Sequence, residues 1–544
     1  MAHRSARFEE GGNKMAWTRT LLSLALTGLL LGGQLPAGSA APSSGTITIA
    51  IGVSIDTMNG PLISSTVVLG LTRHMVQGLF RMGRNRKVEP ELAESYSVSP
   101  DGRIWTLRLR RGVKFHDGTP FDAEAVIANL NHLFDKKLAY SRANLLNMIA
   151  SWKALDPYTV ELRLNKPFGA LAAHLTYQSA LIYSPTALAK FGPQGIGQNP
   201  IGTGPFRLEQ FIPDQRVIMV RNREYWGAQP RLDRISWVTI RDEGSRVAAL
   251  QAGEVNVAIP VTPKFRRSID ERRGITFKVD PGSRLLYIAI NTYFPPLADV
   301  RVREAMTLGI DRQQIVNAFV PGVARLPTSV FASGAFGFAP VYNYALNPTK
   351  AKQLLAEAGW TRGPGGRLVD AKGTPFPRLN MIAFRGRVAG DLEAGQAVHA
   401  QLSDLGFDIQ FRELEFTAVI AELRDEAANR TSQPRTHLGM FSLGNSLGDG
   451  SFSLDFYDDR SKVNWAVLYY AGNSAWRDID VAWREVDPQK REAALAAAQK
   501  KLAADHFFLP LYEAKQTYGI DTRLRGVWSL PNEVYWFGDA WIQE

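Results

Sequence analysis

A chain of 544 residues without a single cysteine has only burial and hydrogen bonding to hold it together. Disulfides, cysteine-based metal sites, a cysteine nucleophile and a lipid anchor on an N-terminal cysteine are all excluded. The first residues add a second constraint. Ala16–Trp17–Thr18–Arg19 supplies a basic segment, Leu21 to Leu31 is apolar, and Gly38–Ser39–Ala40–Ala41 ends the run with small residues. That is the order of a secretory signal. The apolar run falls short of the about 20 residues that cross a bilayer. The expectation is cleavage after Ala40 or Ala41 and release of an exported, soluble protein. Whether translation starts at Met1 or Met15 stays open.

About 500 residues beyond the signal exceed what one core can organise, so two or three domains are expected. Apolar residues make up 45% and aromatics 10%, the composition of a folded globular chain rather than a disordered one. The formal charge is +11. The first forty residues carry four basic side chains (Arg4, Arg7, Lys14, Arg19) and two acidic ones (Glu9, Glu10), leaving about +9 for the rest. The arginines are dispersed and form no basic-aromatic motif, which argues against nucleic acid as a partner and for a solvated basic surface.

Strand and helix signals alternate along the chain. Thr46 to Ile51 reads as a strand, Val67 to Phe80 as a helix, and Trp105 to Arg110 as a half-buried strand. Asp122 caps a helix with apolar positions Val126, Ile127, Leu130 and Leu133. Val160–Leu164, Phe206–Val220 and Ile235–Ile240 are strand-rich, and Arg246–Ala252 is a short helix running into Gly253. From Leu285 the pattern changes to an unbroken apolar run, as in a buried strand. Helices Val302–Ala318, Pro348–Ala358 and Glu393–Leu405 then alternate with strands Leu379–Phe384, Asp408–Arg412 and Leu438–Leu443. Alternation of this kind predicts an α/β fold. Thr361–Pro375 reads as a surface hairpin, and helix Lys490–Ala504 precedes an apolar strand at Phe507–Tyr512.

Five blocks in this order resemble the peptide/nickel family, family 5, of periplasmic solute-binding proteins of ABC importers. They are WTLRLRRGVKFHDGTPFDAEAVIANLNHL (Trp105–Leu133), NPIGTGPFRLEQF (Asn199–Phe211), AALQAGEVNVAI (Ala248–Ile259), INTYFPPLADVRVREAMTLGIDRQQIV (Ile290–Val316) and NPTKAKQLLAEAGW (Asn347–Trp360). The resemblance implies a two-lobe periplasmic-binding-protein fold with an extra subdomain inserted in the first lobe. On that basis residues 41–284 form lobe one, with the insert at about 89–208, residues 285–513 form lobe two, and residues 514–544 return to lobe one. It further implies a periplasmic, monomeric protein that delivers its ligand to an inner-membrane permease, with no cofactor and no bond chemistry.

The resemblance also points to binding residues. Arg385 follows strand Leu379–Phe384, where loop residues of α/β folds line ligand crevices. Dipeptide-binding members carry at the matching position an arginine that grips the ligand carboxylate, and a guanidinium offers the bidentate fork for it. Arg387 is the substitute two residues on. Peptide binders resemble one another in a Gly-Trp-x-x-Asp segment whose Asp pairs with the ligand ammonium. The corresponding segment here, Phe441 to Asp449, has Leu443 for the Trp and Ser446 for the Asp. Asn445 and Ser446 could hydrogen-bond a neutral or hydroxylated ligand instead, and Asp449 either reaches a cation or caps its own turn. Met58 and Asn59 follow the first strand and are expected to face the cleft from lobe one. Trp465 and Tyr469 are candidate apolar walls. The leading ligand is a short peptide or related amino-acid derivative, with a sugar or opine-like conjugate as the alternative.

One pattern points to a different class. Gly444-Asn445-Ser446-Leu447-Gly448 matches the nucleophile elbow of serine hydrolases, and Asp480, Asp487 and His506 follow in a workable order. The elbow needs a helix directly after the serine, and Leu447-Gly448-Asp449-Gly450 is a poor start for one. The eight histidines show no metal-ligand spacing, and His116 sits in a turn of the first family block, so no metal site is expected.

Overall fold

One strand, Ile275–Ile290, runs sixteen residues, and one of its neighbours, Phe508–Asp521, runs fourteen. Its second half, Leu285 to Ile290, is buried on both faces, as its unbroken apolar sequence requires. It pairs antiparallel with Leu438–Gly444 on one side and with Phe508–Asp521 on the other. Phe508–Asp521 then pairs with Val257–Ile259, which lies beside Thr46–Ile51. The two long strands thus join both halves of a single large sheet. A computed structural model describes residues 45–544 apart from 64, 462, 463, 469 and 471, and apart from the side chains of 141, 464 and 465. Among the described residues the sheet has eleven strands. The signal expected before Ala41 lies outside them.

Three cores are built on this frame. The first holds Ile47, Ile49, Ile51, Trp237 and Phe206 with the C-terminal residues Tyr535 and Phe537. The second holds Leu285–Ile290, strand Leu379–Phe384, and the helices Val300–Leu308, Asp391–Leu405 and Pro488–Ala504. The third runs from Leu79 to Ile182 around Trp105, Leu107, Val126 and Leu162. It covers a four-stranded antiparallel sheet made of Ala93–Val98, Ile104–Leu109, Thr159–Leu164 and Ile149–Asp156. Period-two alternation links the cores. Ile49 and Ile51 face the first core, while Ala50 between them faces the second.

Most elements begin and end where local chemistry dictates. Asp122 accepts from the Ala125 amide at 3.0 Å and starts helix Ala123–Leu133. Gly253 ends helix Glu243–Ala252 at φ 77°, the left-handed turn that glycine makes without strain. The single helix expected over Val302–Ala318 is two, because Asp311 accepts from the Gln314 amide and caps a new helix, Arg312–Phe319. The helix expected to reach Phe80 stops at Arg73, and Phe80 instead opens a short strand. The hairpin expected in Thr361–Pro375 is present as Thr361–Arg362 paired with Leu368–Val369.

Where the two long strands cross between lobes, their register breaks. Asp280 faces Gln516 and Arg284 faces Ala514, so Pro281, Gly282 and Ser283 stand opposite Lys515 alone. Gly282 is required there, since a Cβ would lie 1.9 Å from the Ala514 carbonyl oxygen. Gly282→Ala is therefore expected to cost about 1–3 kcal/mol, the range for forcing an added carbon into a packed site. A thermal melt lowered by a few degrees would show this, and an unchanged melt would exclude it.

Four histidines are buried and a fifth, His116, is half-buried, and none makes an ion pair among the described residues. Burial lowers the pKa of His74, His116, His174 and His437 to about 4, and that of His506 to about 3. His74 shows how each is kept neutral. Its Nδ1 donates to the Gly70 carbonyl at 2.8 Å, and its Nε2 accepts from the Phe537 amide at 2.9 Å. The unfolded chain, with histidines near their ordinary value of about 6.5, binds more protons than the folded one below that pH. Their contribution is therefore full above about pH 6.5 and lost as pH falls toward 4. Urea midpoints measured from pH 7 to 4 should decline across this window, and a flat series would contradict the account.

Candidate functional site

The break in the strand pair opens onto a cavity of about 270 Å³ between the lobes. Val53, Ser65, Val67 and Ile259 line it from the first core, and Val320, Val323 and Gly386–Ala389 from the second. Both long strands contribute, through Gly282–Arg284 and through Tyr512 and Ala514–Thr517, and the C-terminal return contributes Pro531, Glu533 and Tyr535. The walls are mainly aliphatic, with a few charged groups placed among them, which is the usual make-up of a solute pocket.

The charges are unequal. Arg284 donates from Nε to Glu533 Oε1 at 3.1 Å and from Nη2 to Oε2 at 3.3 Å. The Thr66 hydroxyl donates to the same carboxylate at 3.0 Å. Burial works against the charge of Glu533, yet Arg284 and Arg387 together hold its pKa below the ordinary value. Glu533 takes this position at φ 68°, a conformation uncommon for a residue with a side chain. Arg387 faces the same cavity with no ion pair among the described residues. Its guanidinium lies 5.5 Å from the Phe416 ring centroid. The Arg284 charge, with desolvation behind it, lowers the Arg387 pKa to about 10. Lys515 adds a third cation to the lining. Glu533 is the one acid against these three bases in the lining.

Next to this chamber the lobes touch. Asn532 Nδ2 donates to the Ser446 carbonyl at 2.8 Å. Around that contact is a smaller cavity of about 40 Å³, lined by Ser446, Met82, Trp528 and Trp536. Its own charges are already matched, since Arg73 and Glu91 pair at 2.6 Å with both side chains buried.

The residues singled out from sequence divide accordingly. Ser446 reaches the interlobe surface. Asn445 is buried behind it and donates from Nδ2 to the Asp449 carbonyl at 2.9 Å. Asp449 does not face the cavity. Its carboxylate caps helix Gly450–Tyr457 and pairs with the buried Arg491 at 2.8 and 2.5 Å. Burial opposes its charge, but Arg491 and the Ser451 amide hold its pKa down. Arg385 turns outward, largely exposed, and pairs with Glu413 at 2.9 Å. The reversal comes from Gly386 at φ 86°, after which Arg387 points inward. Met58 is part of the first core. Asn59 is buried and donates to Tyr140 Oη at 3.2 Å and to the Pro193 carbonyl at 2.9 Å. These two residues therefore bind lobe one to the insert instead of lining the cleft. Trp465 lies in the short helix Asn464–Val467, its side chain outside the described residues, and Tyr469 lies outside them altogether.

The hydrolase constellation is not assembled. His506 is buried and faces the Thr307 hydroxyl at 3.1 Å. Asp480 pairs with Arg460 at 2.9 Å, and Asp487 caps helix Pro488–Ala504 through the Lys490 amide. A helix does follow Ser446, but it begins at Gly450, one turn later than an elbow requires. Among the described residues no three potential metal-ligating side chains cluster.

Sequence reasoning missed Arg284 and Glu533. The signal for Arg284 was present, since it is the charged residue that immediately precedes an unbroken apolar run. Glu533 had none, because its partner lies 249 residues away.

Comparisons with known proteins agree with this architecture. The glutathione-binding protein GsiB of Shigella flexneri is 29% identical over 505 residues, covering 91% of this chain and 94% of the relative. The structure of HbpA2 from Haemophilus parasuis superposes with a TM-score of 0.78 at 22% identity, over 92% of this chain and all of that one. The dipeptide-binding protein of Pseudoalteromonas sp. SM9913 in complex with Met-Leu gives 0.72 at 18% identity, again over 92% and 100%. The model of bacterial extracellular solute-binding proteins, family 5 middle, matches residues 87–465, more than half of the chain. The chain therefore belongs to family 5 of the bacterial extracellular solute-binding proteins, the ligand-capturing components of ABC importers.

Proposed function

We propose that this protein captures a small carboxylate-bearing solute, a short peptide or related amino-acid derivative, in the interlobe cavity and presents it to an inner-membrane permease. The observation that carries the reading is Arg387, a solvent-accessible guanidinium that lines the cavity and makes no ion pair among the described residues. A ligand carboxylate satisfies it through two parallel hydrogen bonds and relieves its repulsion with Arg284. Relatives named for glutathione and for a bound Met-Leu dipeptide support the substrate class. Ser446, in place of an acid, leaves a ligand ammonium without its usual partner, and so favours ligands with more negative than positive charge.

The lobes follow the boundaries 41–284, 285–513 and 514–544, with the cores supporting a narrower insert near residues 79–182 in place of 89–208. Closure bends the strand pair near Ser283–Leu285 and Tyr512–Thr517 around the bound solute. The protein acts as a monomer.

Ligand retained through native purification, identified by mass spectrometry, gives the compound for calorimetry. Arg387→Ala is expected to weaken its binding by about 2–5 kcal/mol, the range for truncating one side of a buried charge pair. Arg387→Lys should also bind less tightly, because a point charge cannot reproduce the fork. Arg385→Ala should bind within about 0.5 kcal/mol of wild type, as expected when an exposed ion pair is removed. The reverse order would return the carboxylate to Arg385. Equal affinity in all variants would remove both arginines from the site.

The same reading places the mature protein in the periplasm. N-terminal sequencing of the protein from a periplasmic extract should begin at Ala41 or Pro42, and a retained Leu21–Leu31 segment would overturn the localisation.

A further inference from the structure

A second cavity, about 360 Å³, lies where the insert meets lobe two. The insert supplies Leu145, Met148, Lys166 and Phe168, and lobe two supplies Asp455 and Trp483. The seam around it is closely joined. The Gly169 amide donates to the Trp483 carbonyl at 2.8 Å, and a Cβ on Gly169 would lie 1.7 Å from the Glu485 carbonyl oxygen. His174 Nδ1 donates to the Leu145 carbonyl, leaving Nε2 to face the Ser451 hydroxyl across the seam at 3.3 Å. The seam is thus a built contact between two cores.

The cavity holds two opposite charges that feel each other but make no ion pair with each other. Lys166 makes no ion pair among the described residues, and its Nζ lies 5.2 Å from the Trp483 ring centroid. Asp455 is half-buried and accepts one hydrogen bond among them, from Ser461 Oγ at 2.9 Å. A carboxylate has room for about four, so most of its acceptor capacity is open. Leu145, Met148, Phe168 and Trp483 give the walls their apolar part, and Asn144, Asn147, His174, Ser451 and Ser461 complete the lining. We propose that this cavity is a second ligand site, for a free amino acid with an apolar side chain, whose ammonium pairs with Asp455, whose carboxylate pairs with Lys166 and whose side chain lies against Phe168 and Trp483. Burial raises the Asp455 pKa, so a cationic partner at that carboxylate is favoured over its solitary ionised form. The proposal is independent of the interlobe cavity, since none of its residues lines that chamber.

The test is calorimetry on the purified full protein with L-leucine and L-phenylalanine as probes. N-acetyl-leucine, which lacks the ammonium, and leucine methyl ester, which lacks the carboxylate, serve as controls. The zwitterions are expected to bind saturably, with each blocked analogue at least tenfold weaker. Asp455→Asn and Lys166→Met should each weaken leucine binding at least tenfold, while the solute carried through native purification remains bound. Lys166 is exposed, so its variant tests the site even if Asp455→Asn disturbs folding. No saturable binding of either amino acid at millimolar concentration would overturn the proposal. So would equal binding of the blocked analogues, or leucine binding that Lys166→Met leaves unchanged.

Discussion

Two strands are shared by both halves of this protein, and the rest follows from that sharing. Ile275–Ile290 and Phe508–Asp521 pair along most of their lengths, so any movement of one lobe against the other has to bend this pair. A continuous antiparallel ladder resists bending, because each register position exchanges hydrogen bonds. The ladder is interrupted at two places, by one residue between Leu286 and Tyr287 and more widely where Pro281, Gly282 and Ser283 stand against Lys515. The charged interlobe cavity opens at the wider break. A solute bound there touches the most compliant stretch of the backbone and both lobes together, so its binding energy acts directly on closure.

How the protein treats its arginines marks out the one at the site. Arg246 donates to the carbonyls of Ile240, Arg241 and Pro260. Arg303 donates to those of Leu297, Ala298 and Asp505. Arg312 donates to those of Thr307, Ile310, Pro510 and Tyr344. Each of these buried guanidiniums spends its donors on backbone oxygens and so fixes a loop or helix end. Arg284 spends its donors on Glu533. Arg387, solvent-accessible at the cavity wall, makes no ion pair among the described residues, so its donors are open to water or, on the proposed function, to a ligand carboxylate.

Much of this was readable from sequence, because the signals were local. Asp122 caps its helix by a hydrogen bond that spans three residues, and strands such as Ile104–Leu109 follow period-two burial, whereas the equally local cap at Asp311 was read through as helix. The site was less readable, because side-chain direction depends on backbone turns that sequence spacing does not fix. Arg385 and Arg387 are two residues apart, and Gly386 in a left-handed conformation decides which one faces in. Asp449 could equally have met a ligand or capped a turn, until Arg491, 42 residues away, claimed its carboxylate. Helices Phe416–Asn429 and Trp476–Arg484 were not anticipated, although Trp476, Ile479 and Trp483 recur at helical spacing in the second.

The replacement of an acid by Ser446 gains its meaning from what surrounds it. The small cavity at Ser446 is lined by two cations and one anion: Arg73 and Glu91 are paired and buried, and Arg81 pairs with Glu89. Glu91 also accepts from the Gly78 amide and the Gln77 side chain, so its carboxylate is committed to its own loop. Neither wall therefore presents a carboxylate with free capacity to a ligand ammonium. The chamber beside it presents Arg284, Arg387 and Lys515 against Glu533 alone. Desolvating a cationic head group next to three bases is unfavourable, whereas a second carboxylate would balance the excess. On the proposed function, discrimination in this cleft would rest as much on repelling unmatched positive charge as on attraction by Arg387.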